Sequence, residues 1–144
     1  FCLHEKDENA RYILIGTGTG VTPYRAMLPQ LKKLMDERDV QVLLLFGSRT
    51  EEDLIYREDF YKFAEDNRNF RFMPSFSREM PENATADARR GYVQNQLAEL
   101  NPNGAHDIAY LCGNPNMVDA CFEALKEFGL SVHHIRREKY VSSK

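Results

Sequence analysis

Gly16-Thr17-Gly18-Thr19-Gly20-Val21-Thr22-Pro23 is the stretch on which the fold turns. Tyr12-Ile13-Leu14-Ile15 precedes it, short and apolar. Tyr24 to Arg38 follows, with Ala26, Met27, Leu28, Leu31, Leu34 and Met35 spaced mostly by three and four, as on one face of a helix. The pattern predicts strand, glycine turn, helix. Glycines permit positive φ and a close approach of backbone to ligand. The helix start adds unpaired N–H groups and a partial positive charge. Together they make an anion site suited to a pyrophosphate. Pro23 fits the first helical turn, where its missing N–H costs nothing. From Gly18 the turn reads G-x-G-x-x-P, with Pro23 where the dinucleotide fingerprint has its third glycine. No Gly-Lys-Ser/Thr follows to make a P-loop. On these residues alone, a tight turn without a ligand stays open.

The 144 residues fit one domain with a sizeable core. Hydrophobic residues make up 42% and charged residues 28%, ordinary for a globular chain. With 19 Lys+Arg against 22 Asp+Glu the net charge is -3, which gives no support for nucleic-acid binding. No apolar run approaches the roughly 20 residues of a membrane span, so no membrane insertion is expected. Cys2, Cys112 and Cys121 form no C-x-x-C pair, which points to reduced thiols and a cytoplasmic setting. The chain starts at Phe1 rather than Met, so a preceding segment is expected.

Strand and helix patterns alternate. Strands are expected at Tyr12–Ile15, Val40–Phe46, Phe70–Phe76, Asp107–Cys112 and Val132–Ile135. Helices are expected at Tyr24–Arg38, Asp53–Asn67, Tyr92–Leu100 and Met117–Phe128, the last closed by Gly129 at its C′ position. Val40–Phe46 is nearly continuous in apolar residues, as for a strand buried on both faces. Pro74 places the third strand at an edge or makes it end there. Residues 77–90 are polar and read as a long loop. Alternation of this kind implies an α/β fold: a doubly wound, open parallel sheet of about five strands, Rossmann-like. Its ligands bind beyond the carboxyl ends of the strands. Glycine-rich or polar residues stand at four such ends: Gly16–Pro23, Gly47-Ser48-Arg49, Ser77-Arg78 and Gly113-Asn114-Pro115.

The second strand end governs cofactor choice. NAD-binding folds place an acid there for the ribose hydroxyls, whereas arginine suits a 2′-phosphate. Ser48-Arg49 and Ser77-Arg78 offer hydroxyls beside guanidinium groups, which bind phosphate bidentately. Alternatively, Arg49 and Arg78 are solvated charges pairing with Glu51 and Glu79. Two roles are open to Cys112 as well: packing against a flat ring beside Gly113, or a buried core thiol. His133-His134, adjacent on a strand, would face opposite ways. No metal site is expected, and no Gly-x-Ser-x-Gly elbow marks a serine hydrolase.

These motifs resemble the NAD(P)H-binding half of the ferredoxin–NADP reductase superfamily. Gly16–Arg25 is similar to its pyrophosphate and nicotinamide loop, and Phe46–Phe60 to its second signature. Phe76-Ser-Arg-Glu79 resembles the 2′-phosphate element of NADP-preferring members. Gly91-Tyr-Val-Gln94 resembles the stretch whose tyrosine packs on adenine, and Leu111–Pro115 with Met117 the nicotinamide-side motif. The resemblance implies cofactor-binding roles for Gly16, Thr17, Gly18, Thr19, Gly20, Pro23, Arg25, Ser48, Arg49, Ser77, Arg78, Tyr92, Cys112, Gly113, Asn114, Pro115 and Met117.

Phe1-Cys2-Leu3 resembles the end of the family's flavin-binding barrel. Residues 1–10 are therefore expected to be the tail of an inter-domain linker, and 11–144 the NADP(H)-binding domain. By this resemblance NADP(H) lays its nicotinamide between Cys112 and the FAD of a full-length parent. Hydride passes between them, and electrons leave singly to ferredoxin or flavodoxin. The protein positions and the cofactors react. Glu138–Lys144 resembles bacterial tails that reach the flavin, with Tyr140 shielding its ring, although the plant-type final tyrosine is lacking. Without the barrel, the chain alone is expected to be colourless and inactive. Two alternatives keep their place: the reductase component of an oxygenase or other electron-transfer chain, and a non-catalytic nucleotide sensor.

Overall fold

The computed structural model describes residues 1–4 and 7–140. The strands are β1 (Arg11–Thr17), β2 (Gln41–Ser48), β3 (Phe70–Phe76), β4 (Arg89–Arg90), β5 (Asp107–Gly113) and β6 (Ile135–Lys139). The helices are α1 (Thr22–Arg38), α2 (Arg57–Asp66), α3 (Leu97–Leu100) and α4 (Pro115–Glu127). The sheet runs β4-β3-β2-β1-β5-β6, and every pair is parallel. The chain walks outward from β1 to β4, then returns to the other side of β1 with β5. Winding reverses between β1 and β5, and such a reversal opens a crevice above the strands' carboxyl ends.

Strand alternation sorts the core into two layers. Tyr12 and Leu14 face one side with Val42, Leu44, Phe46, Phe72 and Tyr110, under Tyr24, Met27 and Leu31 of α1 and Phe60 of α2. Ile13 and Ile15 face the other with Leu43, Leu45, Ala109 and Leu111, against Leu97 of α3 and Val118, Cys121 and Leu125 of α4. Burial on both faces explains the unbroken apolar run of β2. The doubly wound parallel α/β fold is the one expected.

The differences are local. The sheet has six strands, because residues 77–90 contain the two-residue β4, too short and too charged to show a pattern. Pro74 does lie near the edge: β3 pairs with β2 throughout but with β4 only at Ser75 and Phe76. The helix expected from Asp53 starts only at Arg57. Leu54 and Ile55 still pack on the core, but Tyr56 takes a left-handed φ of 59° that breaks helical continuity. Tyr92–Leu100 is a 3-10 turn at Val93–Gln96 followed by α3. The last strand lies later than expected: Val132–His134 is a 3-10 turn, so His133 and His134 are not strand residues. β6 reads Ile-Arg-Arg-Glu-Lys, and charge on an edge strand hides its pattern while discouraging edge pairing. The helix end at Gly129 is as expected: Gly129 N–H donates to Lys126 O and Leu130 N–H to Leu125 O.

The first residues join the fold. Leu3 is buried, and Asp7 accepts hydrogen bonds from the Tyr110 hydroxyl at 2.5 Å and from Arg136. The tail expected to reach a flavin lies outside the described residues beyond Tyr140.

Candidate functional site

A cleft of about 1040 Å³ opens over the carboxyl ends of β1, β2, β3 and β5. Its floor is made where β1 meets β5. Gly113 takes φ +135° and lies so close to β1 that a Cβ would come within 2.5 Å of Thr17 Oγ1. Gly20 turns back against the same strand end, and a Cβ there would stand 2.3 Å from the Cys112 carbonyl oxygen. The glycines thus let the loop seat on β5 before any ligand is considered. Thr17 Oγ1 completes the junction by accepting the Asn114 N–H at 2.9 Å.

Two helix starts lie at this junction. The loop passes through a 3-10 turn (Gly18–Val21) into α1, which has Pro23 in its first turn. Across the cleft, Asn114 caps α4, its Oδ1 accepting from Asn116 N–H at 2.9 Å and Met117 N–H at 3.2 Å. Pro115 occupies the first turn of α4. Helix N-termini carry partial positive charge, so the junction favours an anion. Thr17, Gly18, Thr19, Gly113, Asn114, Pro115 and Met117 line this end of the cleft.

The other end is built by β2, β3 and β4. Pairing continues past the strands: Ser77 N–H donates to Ser48 O, and the N–H groups of Arg78 and Glu79 donate to Arg49 O. Ser48, Arg49 and Ser77 line the cleft. The Ser48 hydroxyl donates to Thr50 O at 2.7 Å, and Arg49 pairs with Asp53 at 3.4 Å rather than with Glu51. β4 then brings Tyr92 in. Gly91 N–H donates to Phe76 O, and the Ser75 hydroxyl donates to Gly91 O at 2.6 Å. This fixes the next residue at the cleft rim, where Tyr92 is 61% exposed. An aromatic ring that exposed offers a flat surface for stacking.

Six of the residues chosen from sequence do not line the cleft. Gly16 and Gly20 are buried beneath it, and Pro23 is packed into α1. Arg25 binds Asp59 at 2.7 Å and lies over the Tyr56 ring. Arg78 is exposed, outside the lining. Cys112 is fully buried in the core beside Tyr24, and Tyr140, whose N–H donates to Gly113 O, covers it from the cleft side. Burial pushes the Cys112 thiol up to about 11, with the neighbouring Tyr140 hydroxyl pulling the other way. Burial, then the thiol, raise Tyr140 to about 12. Both groups are neutral at pH 7, so no thiolate chemistry is available there. The sequence choice missed Gly47, Asp53, Gly91, Val93, Gln94 and Asn116 in the lining. All of these lie inside or beside the quoted motifs, Asp53 within the Phe46–Phe60 stretch.

A family model described as the oxidoreductase NAD-binding domain matches residues 14–123. The chain belongs to this family. Membership places this NAD-binding domain in the ferredoxin–NADP reductase superfamily that its motifs resemble. It is 31% identical over 140 residues to a component of the Na(+)-translocating NADH-quinone reductase of Yersinia enterocolitica, covering 94% of the chain and 34% of that relative. The chain therefore spans about a third of the length of the curated relatives it matches. Among solved structures it resembles Amycolatopsis cytochrome P450 reductase GcoB, with a TM-score of 0.77 and 32% identity over 94% of the chain and 39% of that protein. The FAD/NAD-binding domain of a Vibrio cholerae nitric oxide dioxygenase shares the fold, with a TM-score of 0.79 at 21% identity over 97% of the chain and 54% of that domain. By its family the chain is an oxidoreductase NAD-binding domain. Among the described residues, no helix is long and apolar enough to cross a membrane.

Proposed function

We propose that this domain binds NADP(H) for a flavin-dependent reductase of the ferredoxin/flavodoxin–NADP type. One observation carries the reading: a single cleft joins the anion-favouring junction of Thr17, Gly18 and Asn114 to a rim where Arg49, Ser77 and exposed Tyr92 stand together. A dinucleotide needs that sequence of features. The pyrophosphate lies at the helix starts, the adenine on Tyr92, and the 2′-phosphate near Arg49 and Ser77, with Arg78 close in sequence. The nicotinamide lies toward Gly113, Met117 and Tyr140. The bound cofactors supply hydride exchange between nicotinamide and FAD. The chain's own residues bind, orient and keep water from the junction. Cys112 and Tyr140 form the base beneath the ring, Tyr140 being the residue that meets it.

For the electron partner, ferredoxin or flavodoxin is what the family resemblance implies. A second reading, the reductase of an oxygenase system, draws support from the 32% identity to a cytochrome P450 reductase. A cytoplasmic setting accords with three free thiols. The test is calorimetric titration of the 144-residue chain with 2′-phospho-AMP and AMP. The reading expects tighter binding of 2′-phospho-AMP, and a loss of about tenfold in Arg49→Ala for that ligand alone, since one charge-assisted contact is worth roughly 1.5–3 kcal/mol. Equal affinities in the parent would overturn the NADP preference, and binding of neither would overturn the nucleotide site.

A further inference from the structure

We infer that Asn103 is a site of spontaneous covalent modification, at which the Gly104 nitrogen closes on the Asn103 side-chain amide to form a succinimide that water opens to aspartate or isoaspartate. Nine asparagines occur in the chain, and Asn103 is the one followed by glycine. Proline follows Asn101 and Asn114, and its nitrogen has no hydrogen to lose. The others precede residues whose side chains crowd the nitrogen. Packing demands the glycine: a Cβ at 104 would stand 2.2 Å from Gly129 O and 3.0 Å from Gly129 C, both backbone atoms. The fit of this turn against the residue that follows α4 thus imposes the residue type that leaves the nitrogen open to react.

The turn also prepares the amide. Asn103 Oδ1 accepts the Ala105 N–H at 2.7 Å, an Asx turn. The ring closed by that bond contains both Asn103 Cγ and the Gly104 nitrogen, so the two reacting atoms are held near each other. The same N–H polarises the carbonyl and favours the oxyanion that forms as the nitrogen adds. Asn103 is exposed, so solvent reaches it. Hydroxide takes the Gly104 proton and the nitrogen bonds to Cγ. The bond from Cγ to the amide nitrogen breaks, and that nitrogen takes a proton from water and leaves as ammonia. Water then adds to either imide carbonyl and breaks its bond to the ring nitrogen.

Opening at the main-chain carbonyl gives isoaspartate, with one more carbon in the backbone. The Asn103 carbonyl, which accepts from His106 N–H at 3.2 Å and Asp107 N–H at 2.9 Å, then becomes a free carboxylate. It would stand beside Asp107, whose Oδ2 accepts the Asn103 N–H at 2.7 Å and whose carboxylate binds Arg11. Like charges repel there, and the starts of β1 and β5 loosen.

The experiment incubates the 144-residue chain at mildly alkaline pH, folded and in guanidinium chloride, and maps its peptides by mass spectrometry, with isoaspartate measured by enzymatic methyl transfer. In the folded chain the Asn103 peptide is expected to exchange NH2 for OH ahead of every other asparagine peptide and to yield both products. Asn103→Ser, which keeps a side-chain oxygen for the turn, is expected to lose this early release of ammonia. The aged chain should melt below the parent, with Asn103→Asp, which lacks the extra carbon, between the two. An Asn103 amide that persists in the folded chain and reacts only in denaturant would overturn the inference, because the turn would then protect the amide. Early ammonia release in Asn103→Ser equal to that of the parent would overturn it as well, and an aged chain that melts with the parent would overturn the loosening.

Discussion

Gly20→Ala tests how the glycine loop is seated. A Cβ on Gly20 would stand 2.3 Å from Cys112 O, 2.6 Å from Cys112 C and 2.6 Å from Gly113 Cα. All three are backbone atoms of one strand end, so no side chain can rotate away, and ordinary contact requires the loop to lift by about 1 Å. Overpacking of this kind costs about 1–3 kcal/mol, and the smaller entropy of the unfolded alanine chain returns about 0.4–1 kcal/mol. The net expectation is a loss of about 1.3 kcal/mol, from the middle of each range. Gly18→Ala supplies the contrast. Its Cβ meets nothing within 4 Å, but φ is +53°, a conformation that costs alanine about 1 kcal/mol. In urea denaturation, with a slope of about 2 kcal/mol per molar and the same unfolded-state return in both variants, the midpoints should fall by about 0.6 M for Gly20→Ala and about 0.2 M for Gly18→Ala. The folded Gly20→Ala protein should also bind 2′-phospho-AMP more weakly, because the lifted loop leaves the junction open. A Gly20→Ala midpoint equal to that of the parent, or a larger loss in Gly18→Ala, would refute the seating argument.

Further expectations follow from the same geometry. Tyr92→Ala should weaken AMP and 2′-phospho-AMP alike, by about tenfold, because stacking on a base is worth about 1–3 kcal/mol and is blind to the 2′ substituent; a selective loss would contradict the placement of adenine. Cys112→Ser should lower the thermal midpoint and leave nucleotide affinity unchanged, since it buries a stronger hydrogen-bonding group out of reach of the cleft; a folded variant with lost binding would return Cys112 to the site. Asp7→Ala should cost about 3–5 kcal/mol in chemical denaturation by stranding Arg136 and the Tyr110 hydroxyl, with Asp7→Asn milder; a neutral Asp7→Ala would deny the clasp any weight. Stability should fall as pH rises above 9. The Cys121 thiol is held neutral by burial up to about 12 in the fold but ionises from 9.0 upward in the unfolded chain, so only the unfolded state sheds the proton in that window. The slope of urea midpoint against pH between 9 and 11 should be shallower in Cys121→Ala, and an unchanged slope would exclude this thiol as a source.

The sequence alone determined the layering and the floor of the cleft. Periodicity along Tyr12–Ile15, Val40–Phe46 and Asp107–Cys112, set against the helical spacing of Met27, Leu31 and Met35, leaves a parallel sheet covered on both faces as the arrangement that buries these side chains. The glycines between strand and helix point to the crevice because their lack of a side chain is a local property. Tertiary structure decided the rest. β4 exists only because Ser75 and Phe76 offer free backbone groups to Arg89 and Arg90, yet it carries Tyr92 to the rim. Cys112, at a strand end in the sequence, proves buried because Tyr140 returns along β6 to cover it, a contact between residues far apart in the chain. Arg49 was legible as a cation, but its partner was not: Glu51 and Asp53 are equivalent in composition, and only the turn anchored by Leu54 sets the second of them against Arg49. Local spacing reports which face a residue occupies, whereas pairing across the sheet edge and the sign of the field in the cleft arise from atoms that folding alone brings together.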